Sequence, residues 1–216
     1  MTKKLVVFDM DGTLITGNTW EDFNTALGVT DDEDWALYSA FSKDEITYGE
    51  WQQELLKLYR LDENKHTKEQ VLSYLTQYEL KTDAKACLEQ ISAAGHDTLL
   101  LSGSFQMTAY AVAFELGMDE AIATTTCVFD QEGMLCNFLS EGDEQHAKVK
   151  RLEIFCAEKN ISLDDCVVIG DGPNDIPLFK LAKHSMTFEE AADEAKAVAS
   201  HTISSLTELP KLIASL

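Results

Sequence analysis

The stretch Lys3-Lys-Leu-Val-Val-Phe-Asp-Met-Asp-Gly-Thr-Leu14 decides the fold. Lys3–Phe8 is an apolar, β-branched run without polar alternation, the pattern of a strand buried on both faces, as in a parallel sheet. It ends on two acids, Asp9 and Asp11, with Gly12 behind them to permit a sharp turn. Side chains alternate along a strand, so the two carboxylates can serve one site only because the chain turns past the strand end. One of them is then placed to bind a metal and attack an electrophile, and the other to handle a proton.

Two further runs read the same way. Thr98–Leu101 ends on Ser102-Gly103-Ser104, and Cys166–Ile169 ends on Gly170-Asp171-Gly172. Helical patterns precede them at Asp83–Ala94 and Ala147–Lys159, and follow at Gln106–Leu116 and Asp175–Leu181. Alternating strands and helices predict an α/β protein: a three-layer, Rossmann-like, doubly wound parallel sheet. In such sheets ligands bind beyond the carboxyl ends of the strands, where all three runs place polar residues.

Residues 17–79 differ in texture. They lack buried-strand patterns and read as four amphipathic helices, Thr19–Leu27, Asp31–Phe41, Tyr48–Tyr59 and Lys68–Tyr78. This predicts a helical cap inserted into a core made of residues 1–16 and 80–216. Thr124–Phe129 and Met134–Leu139, around Asp130-Gln-Glu-Gly133, predict a β-hairpin flap at about 124–139. A helix over Glu189–Ala199, a weak strand near His201–Ser204 and a helix over Ser205–Leu216 complete the chain.

Composition narrows the function. The formal charge of −21 argues against nucleic acid and against anionic membrane surfaces, both of which need clustered Lys and Arg. No apolar run approaches the roughly 20 residues that span a bilayer, and the first strand leads into Asp9 without a cleavage site for a signal peptide. Five cysteines without a C-x-x-C pair suit reduced thiols in a cytoplasmic protein. For Cys127 and Cys136 the hairpin loop decides: Gly133 suits a three-residue loop, which sends the two thiols to opposite faces and keeps them apart.

Asp171 and Asp175 lie four apart across a strand-to-helix turn, hard oxygen ligands of the kind Mg²⁺ takes while sharing its site with a phosphate. Each acid alone could equally be a helix cap. Ser102, with backbone N–H groups at a helix start, suits phosphate. Lys148 suits a transferring phosphoryl group, although Lys150 and Arg151 nearby make a solvated helix lysine a serious rival.

Asp9-Met-Asp-Gly-Thr-Leu14, Leu101-Ser-Gly-Ser104, Lys148 and Gly170-Asp-Gly-Pro-Asn-Asp175, in this order, resemble the four motifs of the haloacid dehalogenase superfamily. The last motif and the helical insert resemble its phosphoserine phosphatase-like branch. The resemblance implies a Mg²⁺-dependent phosphomonoesterase with Asp9 as nucleophile and Asp11 as acid and base. Asp9, Asp171 and the Asp11 carbonyl would sit at the metal with Asp175 in support. Ser102, Gly103 and Lys148 would hold the phosphoryl group, and Asn174 would lie near the substrate. The expected partner is a small phosphorylated metabolite, and the chain a monomer or homodimer.

Two features depart from phosphoserine phosphatases. Their substrate-amine glutamate falls at Asn18, with Glu21 one turn on, and their carboxylate-binding arginine falls near Leu55, while Arg60 is the cap's sole arginine. Phosphoserine is therefore expected to be a poor substrate. Glu21 and the cap aromatics, Trp20, Trp35, Trp51, Tyr38, Tyr48 and Tyr59, suggest phosphorylated amino-alcohols, unless those rings simply form the cap core. A phosphoserine phosphatase proper, a phosphomutase or other phosphotransferase, a dehalogenase, a catalytically dead binding module and a phospho-accepting receiver domain are the rival readings. The second acid, Asp11, speaks against the dehalogenase, and the inserted cap against the receiver.

Overall fold

A computed structural model describes residues 3–59, 66–142 and 144–216. The strands are β1 (Leu5–Phe8), β2 (Ile15–Thr16), β3 (Glu79–Leu80), β4 (Asp97–Phe105), β5 (Glu120–Phe129), β6 (Leu135–Ser140), β7 (Cys166–Ile169), β8 (His184–Phe188) and β9 (His201–Ile203). The helices are α1 (Thr19–Ala26), α2 (Asp31–Ser42), α3 (Tyr48–Tyr59), α4 (Lys68–Leu75), α5 (Ala84–Ala93), α6 (Gln106–Leu116), α7 (Glu144–Lys159), α8 (Ile176–Leu181), α9 (Asp193–Val198) and α10 (Leu209–Ile213).

Seven strands form one sheet in the order β6-β5-β4-β1-β7-β8-β9, parallel except for β6. Every residue of β1 and β7 is buried, which is what continuous apolar runs require: helices cover both faces. One group of helices, α5, α6 and α10, packs together; α7, α8 and α9 form another. The switch in winding falls at the central strands. β4, β1 and β7 are neighbours, so the three polar strand ends stand side by side.

The helices α1–α4 lie between β2 and β3, which pair antiparallel as Ile15↔Leu80 and Thr16↔Glu79 and so close the two crossings into the insert. α1, α3 and α4 build a second hydrophobic cluster from Trp20, Phe23, Trp51, Leu55, Tyr59 and Val71, and the cluster takes in Phe105, Leu135 and Phe138 from the main sheet. The β5–β6 hairpin is also tied to the insert through its backbone. Lys68 N–H donates to the Gly133 carbonyl at 2.8 Å and Leu135 N–H to the His66 carbonyl at 2.9 Å. α2 packs on α3 through Phe41, yet none of its residues is fully buried, and its first turn holds four acids behind a Thr30–Glu33 capping box.

Several boundaries differ from the sequence reading. β4 runs on through Ser102-Gly-Ser to Phe105 because β5 offers it a partner at Thr125, with an irregular register between Ser102 and Phe105. β5 begins at Glu120, its first half completing the parallel sheet before its second half turns into the hairpin. β8 has no counterpart in the sequence reading; His184-Ser-Met-Thr-Phe188 alternates polar and apolar residues yet lies inside the sheet. The helix expected over Lys68–Tyr78 stops at Leu75, since Glu79 and Leu80 are drawn into the pair with β2. The helix expected over Glu189–Ala199 is confined to Asp193–Val198. That over Ser205–Leu216 starts as a 3₁₀ turn, Leu206–Glu208, and is helical over Leu209–Ile213.

The hairpin loop has three residues. Asp130 N–H donates to the Met134 carbonyl at 2.9 Å, and Gly133 takes φ +80°. Cys127 lies in the cluster beneath the insert and pairs with Phe138, whereas Cys136 follows the inward-facing Leu135 and sits at a bulge, its thiol on the Val128 carbonyl at 3.4 Å. The two thiols face apart, and no disulfide joins any of the five cysteines.

Candidate active site

Asp9 follows β1 directly, and its N–H still bonds the Ile169 carbonyl of β7 at 2.9 Å, so the nucleophile candidate is fixed by the sheet. Its carboxylate accepts from Lys148 Nζ at 2.7 Å. Lys148 rises from α7, is fully buried, and reaches the Asp175 carboxylate as well, at 2.9 Å. Lys148 is thus the lysine brought to the strand ends, whereas Lys150 is exposed and pairs with Glu141. The other Asp175 oxygen accepts the N–H groups of Asp171 and Gly172 at 3.1 and 3.2 Å. Asp175 thus braces both the lysine and the loop that presents Asp171.

Asp9, Asp171 and Asp175 bring one oxygen each to within 4.8 Å of one another. Burial, with Asp175 and then Asp171 nearby, holds the Asp9 carboxyl well above the usual carboxylate range despite Lys148. Burial and Asp175 also raise Asp171, against the pull of Lys148, Lys81 and the Thr13 hydroxyl. Three carboxylates facing one ammonium form a donor set that fits a hard divalent cation. The glycines make the close approach possible. A methyl group on Gly12, at φ +70°, would overlap the Asp171 carboxylate, and one on Gly170 would overlap that of Asp175.

The Asp11 side chain is outside that cluster. Its Oδ1 accepts from the Thr19 N–H at 2.9 Å and also from the Thr19 hydroxyl. The insert therefore contributes its first helical residue to the position of the second acid. The expectation for Asp11 at a metal concerned its backbone carbonyl; its carboxylate is turned to the start of α1. Ser102 is buried and its Oγ accepts the Ser104 N–H at 3.0 Å; the Gly103 carbonyl accepts the Thr124 hydroxyl at 3.0 Å. Asn174 is half-buried on the turn between Asp171 and Asp175.

The substrate-side expectations fare differently. Asn18 is the N-cap of α1, exposed, its Oδ1 taking the N–H groups of Trp20 and Glu21. Glu21 is exposed too, and its carboxyl is raised by burial and then by Asp34, Asp22 and Asp31. Leu55 is fully buried within the insert. Arg60 lies outside the described residues. Trp35 and Tyr38 sit outward on α2, 68% and 52% exposed, so the rings do not gather into one cage. Trp20, Tyr48, Trp51 and Tyr59 pack together inside.

Sequence reasoning gave no role to Thr19, Thr13 or Gly170. Thr19 carried a usable signal: it opens a helix eight residues after Asp11, where a turn must bring the chain back over the strand end.

Comparison with known proteins agrees with this geometry. A model of haloacid dehalogenase-like hydrolases matches residues 6–180. The chain belongs to that family. It is 27% identical over 188 residues to a phosphoserine phosphatase of Methanocaldococcus jannaschii, covering 86% of this chain and 85% of that protein. Against the phosphoserine phosphatase of Idiomarina loihiensis it is 28% identical over 207 residues, covering 93% and 88%. A solved structure described as a phospho-aspartyl intermediate analogue of phosphoserine phosphatase superposes with TM-score 0.80 at 25% identity, covering 99% of this chain and all of that one. The chain is a phosphatase of the phosphoserine phosphatase-like branch, and phosphoester hydrolysis through an aspartyl-phosphate is its reaction class.

Proposed function

We propose that the chain hydrolyses a small phosphomonoester with Mg²⁺ as cofactor, using Asp9 as nucleophile, and that phosphoserine is not its preferred substrate. The observation that carries the residue roles is the buried Asp9–Lys148–Asp175 chain of ion pairs beside Asp171, with Asp11 held a turn away by Thr19. An Asp9 oxygen attacks phosphorus while the bond from phosphorus to the leaving oxygen breaks, and Asp11 gives that oxygen its proton. Asp11, now a carboxylate, takes a proton from water. The water oxygen attacks phosphorus, the Asp9–phosphorus bond breaks, and inorganic phosphate leaves. Lys148, Ser102 and the amides around Gly103 hold the phosphoryl oxygens, and Asn174 borders the substrate. Asp9, Asp171 and the Asp11 carbonyl would hold Mg²⁺, with Asp175 supporting them. Bound there, the ion would offset charge on the transferring group. The insert, with the hairpin, acts as a cap over the leaving group.

The reading against phosphoserine rests on the seats expected for its ammonium and carboxylate. Asn18 is spent as a helix cap, Glu21 is out at the surface among acids, and Leu55 is buried in the insert. A desolvated carboxylate without a partner costs several kcal/mol, on the order of a thousandfold in kcat/KM. The relatives' shared name favours phosphoserine itself as the second reading. Turnover of a panel of phosphomonoesters with Mg²⁺ decides between them. Mg²⁺-dependent release of phosphate from several esters, with phosphoserine among the slower, supports the proposal; tenfold preference for phosphoserine overturns it.

A further inference from the structure

Buried polar atoms without partners concentrate where the insert meets the phosphate loop. Among the described residues, the indole N–H groups of Trp20 and Trp51, the Gln52 amide nitrogen and the Ser104 hydroxyl are all buried and bond to nothing. Their residues are 7%, 6%, 3% and 2% exposed. A buried donor left without a partner is as costly as a lost hydrogen bond, so several together call for a ligand.

The two indoles lie close together. Trp20 and Trp51 meet edge to face at 4.9 Å between centroids. Trp20 lies 4.2 Å from the ring of Phe105, the residue after Ser104, and 5.4 Å from Phe138 of β6. Gln52 accepts from the hydroxyl of Ser140, which shares a strand face with Phe138, at 2.9 Å. On the other side, Trp20 follows Thr19, the residue that holds Asp11. Trp20 is thus next in the chain to the residue that positions the acid serving the leaving oxygen.

Their chemistry sorts the candidates. An indole nitrogen donates and never accepts. An ammonium has no acceptor to offer it, which argues against the amino-alcohols expected from the sequence. A carboxylate accepts, but it would enter beneath an insert with 14 acidic and 5 basic residues over 17–80, and the unpartnered groups carry no charge. Hydroxyl groups suit, since each accepts from an indole or amide N–H and carries no charge. We infer that Trp20, Trp51 and Gln52 are specificity-determining residues that select a neutral polyhydroxy leaving group. The inference rests on the phosphatase reading above and deepens it.

The test compares glycerol 3-phosphate, phosphoserine, phosphoethanolamine and phenyl phosphate with Mg²⁺, in the unaltered protein and in Trp20→Phe, Trp51→Phe and Gln52→Leu. Glycerol 3-phosphate should be the best of the three aliphatic esters. Each substitution should lower its kcat/KM relative to that of phenyl phosphate about three- to tenfold, mainly through KM, the worth of one hydrogen bond between neutral groups. Melting temperatures at or above the unaltered value would show that contacts and not the fold were lost; a variant that fails to fold leaves the other two to carry the test. An unchanged ratio in the folded variants, or tenfold preference for phosphoserine or phosphoethanolamine over glycerol 3-phosphate, overturns the inference. No turnover of any ester, phenyl phosphate included, would instead refute the phosphatase reading.

Discussion

The strand-end site and the seam beneath the insert lie one residue apart, at Thr19 and Trp20, and are built on opposite principles. At the strand ends charge is dense and multiply tied: Lys148 bonds two carboxylates, and both Asp175 oxygens are engaged. The seam is neutral and aromatic, and among the described residues its buried indole N–H groups have no protein partner. The first arrangement holds a geometry that every substrate of the reaction needs. The second can change with the leaving group while the reaction stays the same. In the proposed division, chemistry is fixed by short loops on a rigid sheet, and selectivity by side chains on a separately packed layer.

The hardest way to break this contrast is at the strand ends. Asp9→Asn should keep the fold and remove turnover with every ester, a loss of at least a thousandfold, because an amide cannot form the phosphoryl intermediate. A variant that lost one ester only would blur the division between the regions. Gly170→Ala forces a methyl group onto the Asp175 carboxylate. It should cost about a hundredfold in kcat across all esters, since small displacements of positioned groups are that expensive; wild-type kcat would show that Asp175 is not braced as described. Thr19→Val keeps the branched shape and the N–H bond but drops the hydroxyl on Asp11. It should lower kcat about tenfold with KM nearly unchanged, and equal loss through KM would place Thr19 in the seam instead.

Smaller effects test the electrostatics. Asp9 and Asp171 keep their protons to higher pH when folded than when unfolded. At pH values below the ordinary carboxylate range both states are protonated and neither residue opposes folding. As pH rises through that range toward the raised folded values, the unfolded chain releases its protons first and folding is progressively disfavoured. Metal-free protein should therefore melt lower as pH rises, Mg²⁺ should reverse the decline, and Asp9→Asn should lessen it, by a few degrees. A melting temperature indifferent to Mg²⁺ at pH 7–8 would argue against the cation site. The smallest expectation is a null change: unfolded, unreduced protein should titrate five thiols, because Cys127 and Cys136 face apart. A count of three would mean the hairpin register is otherwise.

The sequence and the structure meet where local rules suffice. β1, β7 and the loops carrying Asp9 and Asp171 were legible because buried parallel strands and glycine-permitted turns leave direct marks on composition. β8 was not, since His184-Ser-Met-Thr-Phe188 looks like half of an amphipathic strand while its neighbours bury it. The end of α4 and the length of β4 were set by partners distant in the chain, Ile15 and Thr125. Within the site, Lys148 needed the family pattern to be told from Lys150, and the Asp11–Thr19 contact needed the insert folded back on the strand end. The seam was hidden because tryptophans read as core material. They are core material, and what the sequence could not show is that, among the described residues, the Trp20 and Trp51 N–H groups are buried without a protein partner.

The central claim is that the phosphoryl group passes through Asp9. Rapid mixing with a turned-over ester and Mg²⁺, acid quenching and borohydride reduction would convert a phosphorylated aspartate to homoserine, which peptide mass spectrometry locates. The account predicts homoserine at position 9 within the Leu5–Leu14 segment, formed during turnover and absent without substrate. Hydrolysis of the ester with Asp9 unmodified, or with the label on Asp11, Asp171 or Asp175, would contradict it.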